Sequence, residues 1–202
     1  MRESAGGRSV RDDTSFPPRI TASVMNGIGV WWAVAGGWAI DLWLDRETRD
    51  HHDVEVVVRR EDQAVVHAGL APAWELCCLD PPGSAWRRWD GPPMRPPAFQ
   101  LQVRSSAFEF DLFTENVVEA NWHYRRDARV SLPVAAVTTT SRAGIPIVRP
   151  EVQLLYMARS TEPKNQQDFA AARGNLTAGA SAWLAGALEL AHPGHRWIQE
   201  LR

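Results

Sequence analysis

Val30-Trp31-Trp32-Ala33-Val34-Ala35-Gly36-Gly37, then Trp38-Ala39-Ile40-Asp41-Leu42-Trp43-Leu44, then the polar run Asp45 to His52, and finally Asp53-Val54-Glu55-Val56-Val57-Val58 form the stretch that decides the fold. The first apolar run, halted by two glycines, predicts a buried strand that ends in a tight turn. Good helix formers from Trp38 to Leu44 predict a short helix directly after it. The β-branched run from Asp53 to Val58 predicts a second strand. Alternate side chains of a strand share a face, so Asp53 and Glu55 point one way while Val54 and Val56 enter the core.

Working outward, residues 1–18 read as a flexible arm and 20–28 as a short helix or lead-in. Glu61 to Leu70 reads as a surface helix with Ala64, Val65, Ala68 and Leu70 turned inward. Leu76-Cys77-Cys78-Leu79 fits a strand. Pro81 to Pro97 holds six prolines and two tryptophans, which excludes a helix interior or central strand and predicts an ordered loop anchored by Trp86 and Trp89. Phe99–Val103 and Ala107–Phe113 alternate in polarity about a turn at 104–106, an antiparallel hairpin. After Arg149 the texture becomes helical. One helix starts at Pro150-Glu151, a second near Pro163, and a third carries a 3.6-residue stripe from Leu176 to Ala191, stopped by His192-Pro193-Gly194. The fold class is α+β (or α/β), a mixed sheet flanked by helices. Its divisions are an arm (1–18), a core (19–148) and a C-terminal helical segment (149–202).

The 202 residues suit one domain, and 22 Lys+Arg against 24 Asp+Glu leave a net charge of −2, without the basic footprint of a non-specific DNA binder. No apolar run is long enough to span a membrane, and the first residues lack the apolar core of a secretory signal. Two adjacent cysteines, Cys77 and Cys78, read as reduced packing residues of a cytoplasmic protein. Of ten tryptophans, Trp31, Trp32, Trp38, Trp43 and Trp183 lie on apolar stripes and are assigned to the core. Trp86, Trp89 and Trp122 either anchor loops or stack on a ligand.

Two carboxylates side by side repel each other, and a divalent cation between them is the simplest way to keep both ionised. An all-oxygen donor set favours Mg²⁺ over zinc, and Mg²⁺ is commonly shared with substrate phosphates. The Gly36-Gly37 turn at a helix start offers free backbone N–H groups suited to a triphosphate. The plainer alternative is a solvated acidic edge beside an ordinary turn. A third acid is expected for two-metal chemistry. Asp111, flanked by Phe110 and Leu112, is the choice, and Glu109 on the same face is the alternative. Lys164 and Asp168 are spaced as a helix-surface ion pair, with a phosphate contact by Lys164 as the other reading. His51 is either exposed or hydrogen-bonded to a nearby carboxylate.

Gly36-Gly37-Trp38-Ala39-Ile40-Asp41-Leu42 followed by Thr48-Arg49-x-His51-x-Asp53-x-Glu55 resembles the aminoglycoside and lincosamide nucleotidyltransferases, a branch of the DNA-polymerase-β-like superfamily. Trp122-x-Tyr124-Arg125-Arg126-Asp127, Arg149-Pro150-Glu151 and Pro163-Lys164 … Asp168-Phe169 extend the likeness over roughly residues 29–197. The resemblance implies a minimal nucleotidyltransferase fold with Asp53, Glu55 and Asp111 as metal-binding catalytic acids. It implies that Gly36 and Gly37 hold the triphosphate, that Arg49 and His51 orient the nucleotide or the acidic loop, and that Lys164 reaches the phosphates. The second acid is Glu where Asp is commoner, and Met157 and Asn165 stand where relatives often carry a lysine and an acid. The implied reaction moves a nucleoside monophosphate, AMP from ATP or the equivalent from another NTP, to a hydroxyl of a small aminoglycoside- or lincosamide-like acceptor with one or two Mg²⁺, releasing pyrophosphate. A cationic acceptor would suit an acidic cleft. The alternatives are an antitoxin-type enzyme acting on a protein or RNA partner and a silent nucleotide-binding scaffold.

Overall fold

The computed structural model describes residues 16–202. The elements are α1 (Pro17–Asn26), β1 (Trp32–Ala35), α2 (Gly36–Leu44), β2 (Glu55–Arg59), α3 (Gln63–Leu70), β3 (Glu75–Cys78), β4 (Arg87–Arg88), β5 (Gln100–Arg104) and β6 (Glu109–Val118). They continue with β7 (Asn121–His123), β8 (Ser131–Pro133), β9 (Thr138–Thr140), β10 (Pro146–Val148), α4 (Pro150–Met157), α5 (Pro163–Ala172), α6 (Ala178–Ala191) and α7 (Trp197–Glu200). The strands run in the order β4-β3-β5-β6-β2-β1-β10-β9, with β7 and β8 continuing from the far end of β6. β2 lies parallel to β6 and β1 parallel to β10, while the other pairs are antiparallel, so the sheet is mixed as expected.

Period-two alternation gives the sheet two unlike faces. On one, Val56, Val58, Leu101, Val103, Phe110 and Leu112 are sealed beneath Met25 of α1, Val66 and Leu70 of α3, and the proline-rich loop. On the other, Val57, Trp122 and Tyr124 pack with Leu154 and Leu155 of α4 and Leu184 and Leu188 of α6. That second face also carries Glu55 in register with Asp111, Val57 with Phe113, and Arg59 with Glu115. The acids therefore share a layer with the C-terminal helices.

Several expectations are adjusted. Most of the presumed arm lies outside the described residues, but its last part is folded: Phe16 is buried edge-on against Trp38 at 4.9 Å, and α1 begins at Pro17. β2 begins at Glu55 rather than Asp53, although the Val54 carbonyl still accepts a hydrogen bond from the Asp111 N–H at 2.9 Å. In α3 the inward residues are Gln63, Val66 and Leu70, whereas Val65 is 51% exposed. A 3₁₀ turn over Arg60–Asp62 leads into this helix and sets its face. Gln63 then fastens the proline-rich loop, accepting from the Met94 N–H at 2.8 Å. Trp89 anchors that loop, donating to the Pro92 carbonyl at 2.7 Å, but Trp86 is exposed. Trp122, assigned to a loop or an element end, is fully buried in β7. Among the described residues no helix is long and apolar enough to cross a membrane, and Cys77 and Cys78 are buried free thiols.

Candidate active site

β1 delivers the chain to Gly36 with φ +66°, a conformation that costs glycine little and other residues much. The structure shows what the double glycine accommodates. A Cβ on Gly36 would stand 2.9 Å from Cδ of Glu55, and one on Gly37 would stand 2.8 Å from Cζ of Arg49 and 2.6 Å from Cε1 of His51. Bare backbone at 36 thus lets the Glu55 carboxylate approach, and bare backbone at 37 lets the basic loop close over the start of α2. Ala35, the residue before α2, offers no side-chain cap, so the first N–H groups of the helix keep their anion-binding capacity.

The loop between α2 and β2 is held from both ends. Asp41, buried in α2, accepts from the Thr48 backbone N–H at 3.0 Å and bonds His51 Nε2 at 2.6 Å, while the His51 ring stacks on Trp38 at 4.2 Å. His51 therefore takes the hydrogen-bonded alternative and braces the loop. Arg49 forms a two-point pair with fully buried Asp168 of α5, Nε to Oδ1 at 2.8 Å and Nη2 to Oδ2 at 2.9 Å. Gln167 of α5 adds a bond to the Thr48 carbonyl at 2.8 Å. The Lys164–Asp168 surface pair is not formed, because Arg49 takes Asp168, and Lys164 lies 3.4 Å from Glu162 instead. In the sequence Asp41 and Asp168 stand only as letters of the two motifs. Their burial within polar-looking motifs is visible only in three dimensions.

Asp53 is exposed at the end of this loop, Glu55 is half-buried at the start of β2, and Asp111 is half-buried directly beside Glu55 in β6. Burial, then the charges of Asp53 and Asp111, push the Glu55 carboxyl up to about 7, against the pull of Lys164 and Arg125. Burial and Asp53 push Asp111 up to about 6, although Gln100 donates to its Oδ2 at 3.1 Å. The Asp53 charge thus bears on both, and Asp111 on Glu55. Glu109 is exposed and in register with Arg104, so its place beside Glu55 is taken by Asp111. Mutually destabilised oxygen donors are what a hard divalent cation would relieve, and in that sense the donor set fits Mg²⁺. Among the described residues, no three His, Cys, Asp or Glu side chains are gathered closely enough to enclose a metal ion.

A cavity of about 310 Å³ opens between this layer and the C-terminal helices. Gly36, Gly37, Asp53, Glu55 and Lys164 line one end, and Phe99, Phe113, Glu115, Arg125 and Tyr156 line the other. The second end was not anticipated as a site. Glu115 is 1% exposed and accepts on Oε2 from Trp122 Nε1 at 2.8 Å and from the Tyr156 hydroxyl at 2.6 Å. Burial and the Glu115 charge hold the Tyr156 phenol well above its usual pKa, which keeps it a donor.

Residues 20–74, which contain the double glycine, the loop and both Asp53 and Glu55, match the family model described as aminoglycoside-2''-adenylyltransferase. The antibiotic-resistance factor ANT(2'')-Ia in solution superposes with a TM-score of 0.55 at 13% identity, covering 84% of this chain and 91% of its own. The fold is that of the aminoglycoside and lincosamide nucleotidyltransferases. The lincosamide antibiotic adenylyltransferase LnuA, bound to lincomycin, gives a TM-score of 0.54 at 13% identity over 75% of this chain and 91% of its own. ANT(2'')-Ia in complex with adenylyl-2''-tobramycin gives 0.54 at 13% identity over 83% of this chain and 97% of its own. Among curated proteins, no sequence matches the chain. The nucleotidyltransferase resemblance read from the sequence is therefore borne out by the family model over its first part and by the fold over most of its length.

Proposed function

We propose that the protein transfers a nucleoside monophosphate, AMP from ATP, to a hydroxyl of a small acceptor and releases pyrophosphate. The observation that carries this reading is the pair Asp53 and Glu55 beside the Gly36-Gly37 turn at the mouth of a small-molecule-sized cavity, with Asp111 in register beside Glu55. The family model and the fold support the same class, and aminoglycosides and lincosamides are the acceptors suggested by the similar proteins.

Asp53, Glu55 and Asp111 would hold Mg²⁺. What the bound ion supplies is neutralisation of the triphosphate and of the pyrophosphate leaving group. The free N–H groups at the start of α2 and the Lys164 ammonium bind phosphate oxygens. Asp41 and Asp168, through His51 and Arg49, keep the loop that carries Asp53 in place. The acceptor oxygen attacks the α-phosphorus, the bond to pyrophosphate breaks, and the hydroxyl proton passes to Asp111. Pyrophosphate release measured with ATP and Mg²⁺ across aminoglycosides, lincosamides and other hydroxylated acceptors tests the reading. Acceptor-dependent release that is lost in Asp53→Asn supports it. ATP binding without turnover for any acceptor leaves only a nucleotide-binding scaffold.

A further inference from the structure

Among the described residues, the buried polar side chains that line the cavity are Glu115, Asn165 and Gln153. Two of them are engaged within the protein. Glu115 accepts from Trp122 and Tyr156, and Asn165 donates its Nδ2 to the Met157 carbonyl at 3.1 Å. Gln153 is different. It is only 5% exposed, yet among the described residues its side-chain amide makes no hydrogen bond. Neither amide atom is sealed in protein, so the little surface they keep belongs to the cavity. Around it Val137, Val148 and Val152 are buried apolar walls. A buried amide without a partner costs stability, and an apolar side chain would suit this recess better.

The place of the recess says what would enter it. β10 runs parallel to β1 with Ile147 opposite Val34, so Val148 stands beside Ala35, the residue before the Gly36-Gly37 turn. On α4, Gln153 lies one helical turn, about 6 Å, from Met157. Met157 is in turn tied to Asn165, the neighbour of Lys164. A nucleotide held by its phosphates at the glycine turn and Lys164 therefore continues towards Gln153 with its ribose and base. A polyhydroxylated or cationic acceptor would strand its polar groups among the valines, whereas a nucleobase has apolar faces and polar edges. The primary amide sets one acceptor beside one donor. That pair matches the 6-amino group of adenine and its adjacent ring nitrogen. Guanine presents two acceptors on one edge, and on the other its 2-amino group would face apolar wall. We infer that Gln153 is a specificity residue that reads the adenine of the donor nucleotide, Oε1 accepting from the 6-amino group and Nε2 donating to the ring nitrogen. The inference rests on the transferase reading for the nucleotide's place in the cavity.

Titration calorimetry on the full-length protein with Mg²⁺ and three nucleotides tests it: ATP, GTP, and purine riboside triphosphate, which lacks only the 6-amino group. ATP is expected to bind roughly tenfold to a hundredfold more tightly than either of the others. Gln153→Leu should weaken ATP and bring its affinity down to that of purine riboside triphosphate. Gln153→Glu, which keeps an acceptor for the amino group but no donor, should retain part of the preference. Because the amide bonds nothing within the protein, Gln153→Leu should leave the melting temperature of the nucleotide-free protein unchanged or higher, whereas a structural role would lower it. GTP or the analogue binding as tightly as ATP in the wild type overturns the inference without any variant. An ATP preference that survives in Gln153→Leu overturns it too, as does a loss of tobramycin or lincomycin binding with ATP binding intact, which would give the recess to the acceptor. Acceptor-dependent pyrophosphate release from ATP and GTP alike would keep the transferase reading and discard the base contact. An adenine preference that depends on Gln153, with no turnover for any acceptor, would do the reverse.

Discussion

The two ends of the cavity handle buried charge in opposite ways. At the loop end, Lys164 and Arg125 draw on Glu55 and Arg49 draws on Asp53, yet burial with the charge of neighbouring acids raises the Glu55 and Asp111 carboxyls. At the aromatic end, Glu115 is met by Trp122, Tyr156 and Arg125, and the guanidinium is wrapped in rings. The first end is incomplete without something positive from outside. The second is nearly balanced, with Glu115 Oε1 3.7 Å from Arg125 Nη1. Such a contrast is expected where chemistry happens at one end and recognition at the other, because a reacting centre must change charge while a binding wall need only hold it steady.

The largest effect should come from removing an acid at the incomplete end. Asp53→Asn or Asp111→Asn is expected to lower kcat on the order of a thousandfold in the pyrophosphate assay while leaving the fold intact by circular dichroism. Retained turnover would show that the cluster is not the reacting centre. Next comes the brace: Asp168→Asn uncouples Arg49 from α5 and should cost about 3 kcal/mol in chemical denaturation, because it leaves a partly buried guanidinium with a weakened partner.

The pH dependence of the metal-free protein comes third, and its sign follows from the raised carboxyls. A folded-state pKa above the unfolded one means that the native state holds the proton longer, so stability falls as pH rises from about 4.5 to about 7 for Glu55. Glu55→Gln should therefore raise the melting temperature at pH 8, by up to about 3 kcal/mol of stability, and leave it unchanged at pH 4. Added Mg²⁺ should raise the wild-type melting temperature at pH 8 and do much less for the variant. Gly36→Ala should cost about 2 kcal/mol and disturb Glu55, since it combines a left-handed backbone with a clash against that side chain. The smallest effect is reserved for the rim: Glu162→Gln, which breaks an exposed pair with Lys164, should change stability by less than about 0.5 kcal/mol.

Much of the loop end was legible in the sequence because it is written in contiguous letters. Gly36-Gly37, Asp53 and Glu55 lie within twenty residues, and period-two alternation puts Asp111 on one face of its strand together with Glu109. The hairpin and the helix starts at Pro150 and Pro163 were legible for the same local reasons. What escaped depends on distance in the chain. Arg49 finds Asp168 across 119 positions, and no spacing rule could prefer it over the neighbouring Lys164. Val66 displaced Val65 as the inward residue of α3 because a short 3₁₀ turn sets the face of the helix, which apolar counting does not register. The aromatic end draws on four separate segments around residues 99, 113, 125 and 156, whose meeting no local spacing announces.

The clasp between Arg49 and Asp168 also orders events in time. A nascent chain that has emerged as far as residue 160 already possesses Asp53, Glu55, Asp111 and both glycines, yet Arg49 has no Asp168 to grip and the Thr48 carbonyl has no Gln167. Competence at the mouth of the cavity thus arrives only with the final quarter of translation. A truncation there would leave a domain with its sheet and its acids but with the loop that presents Asp53 untethered.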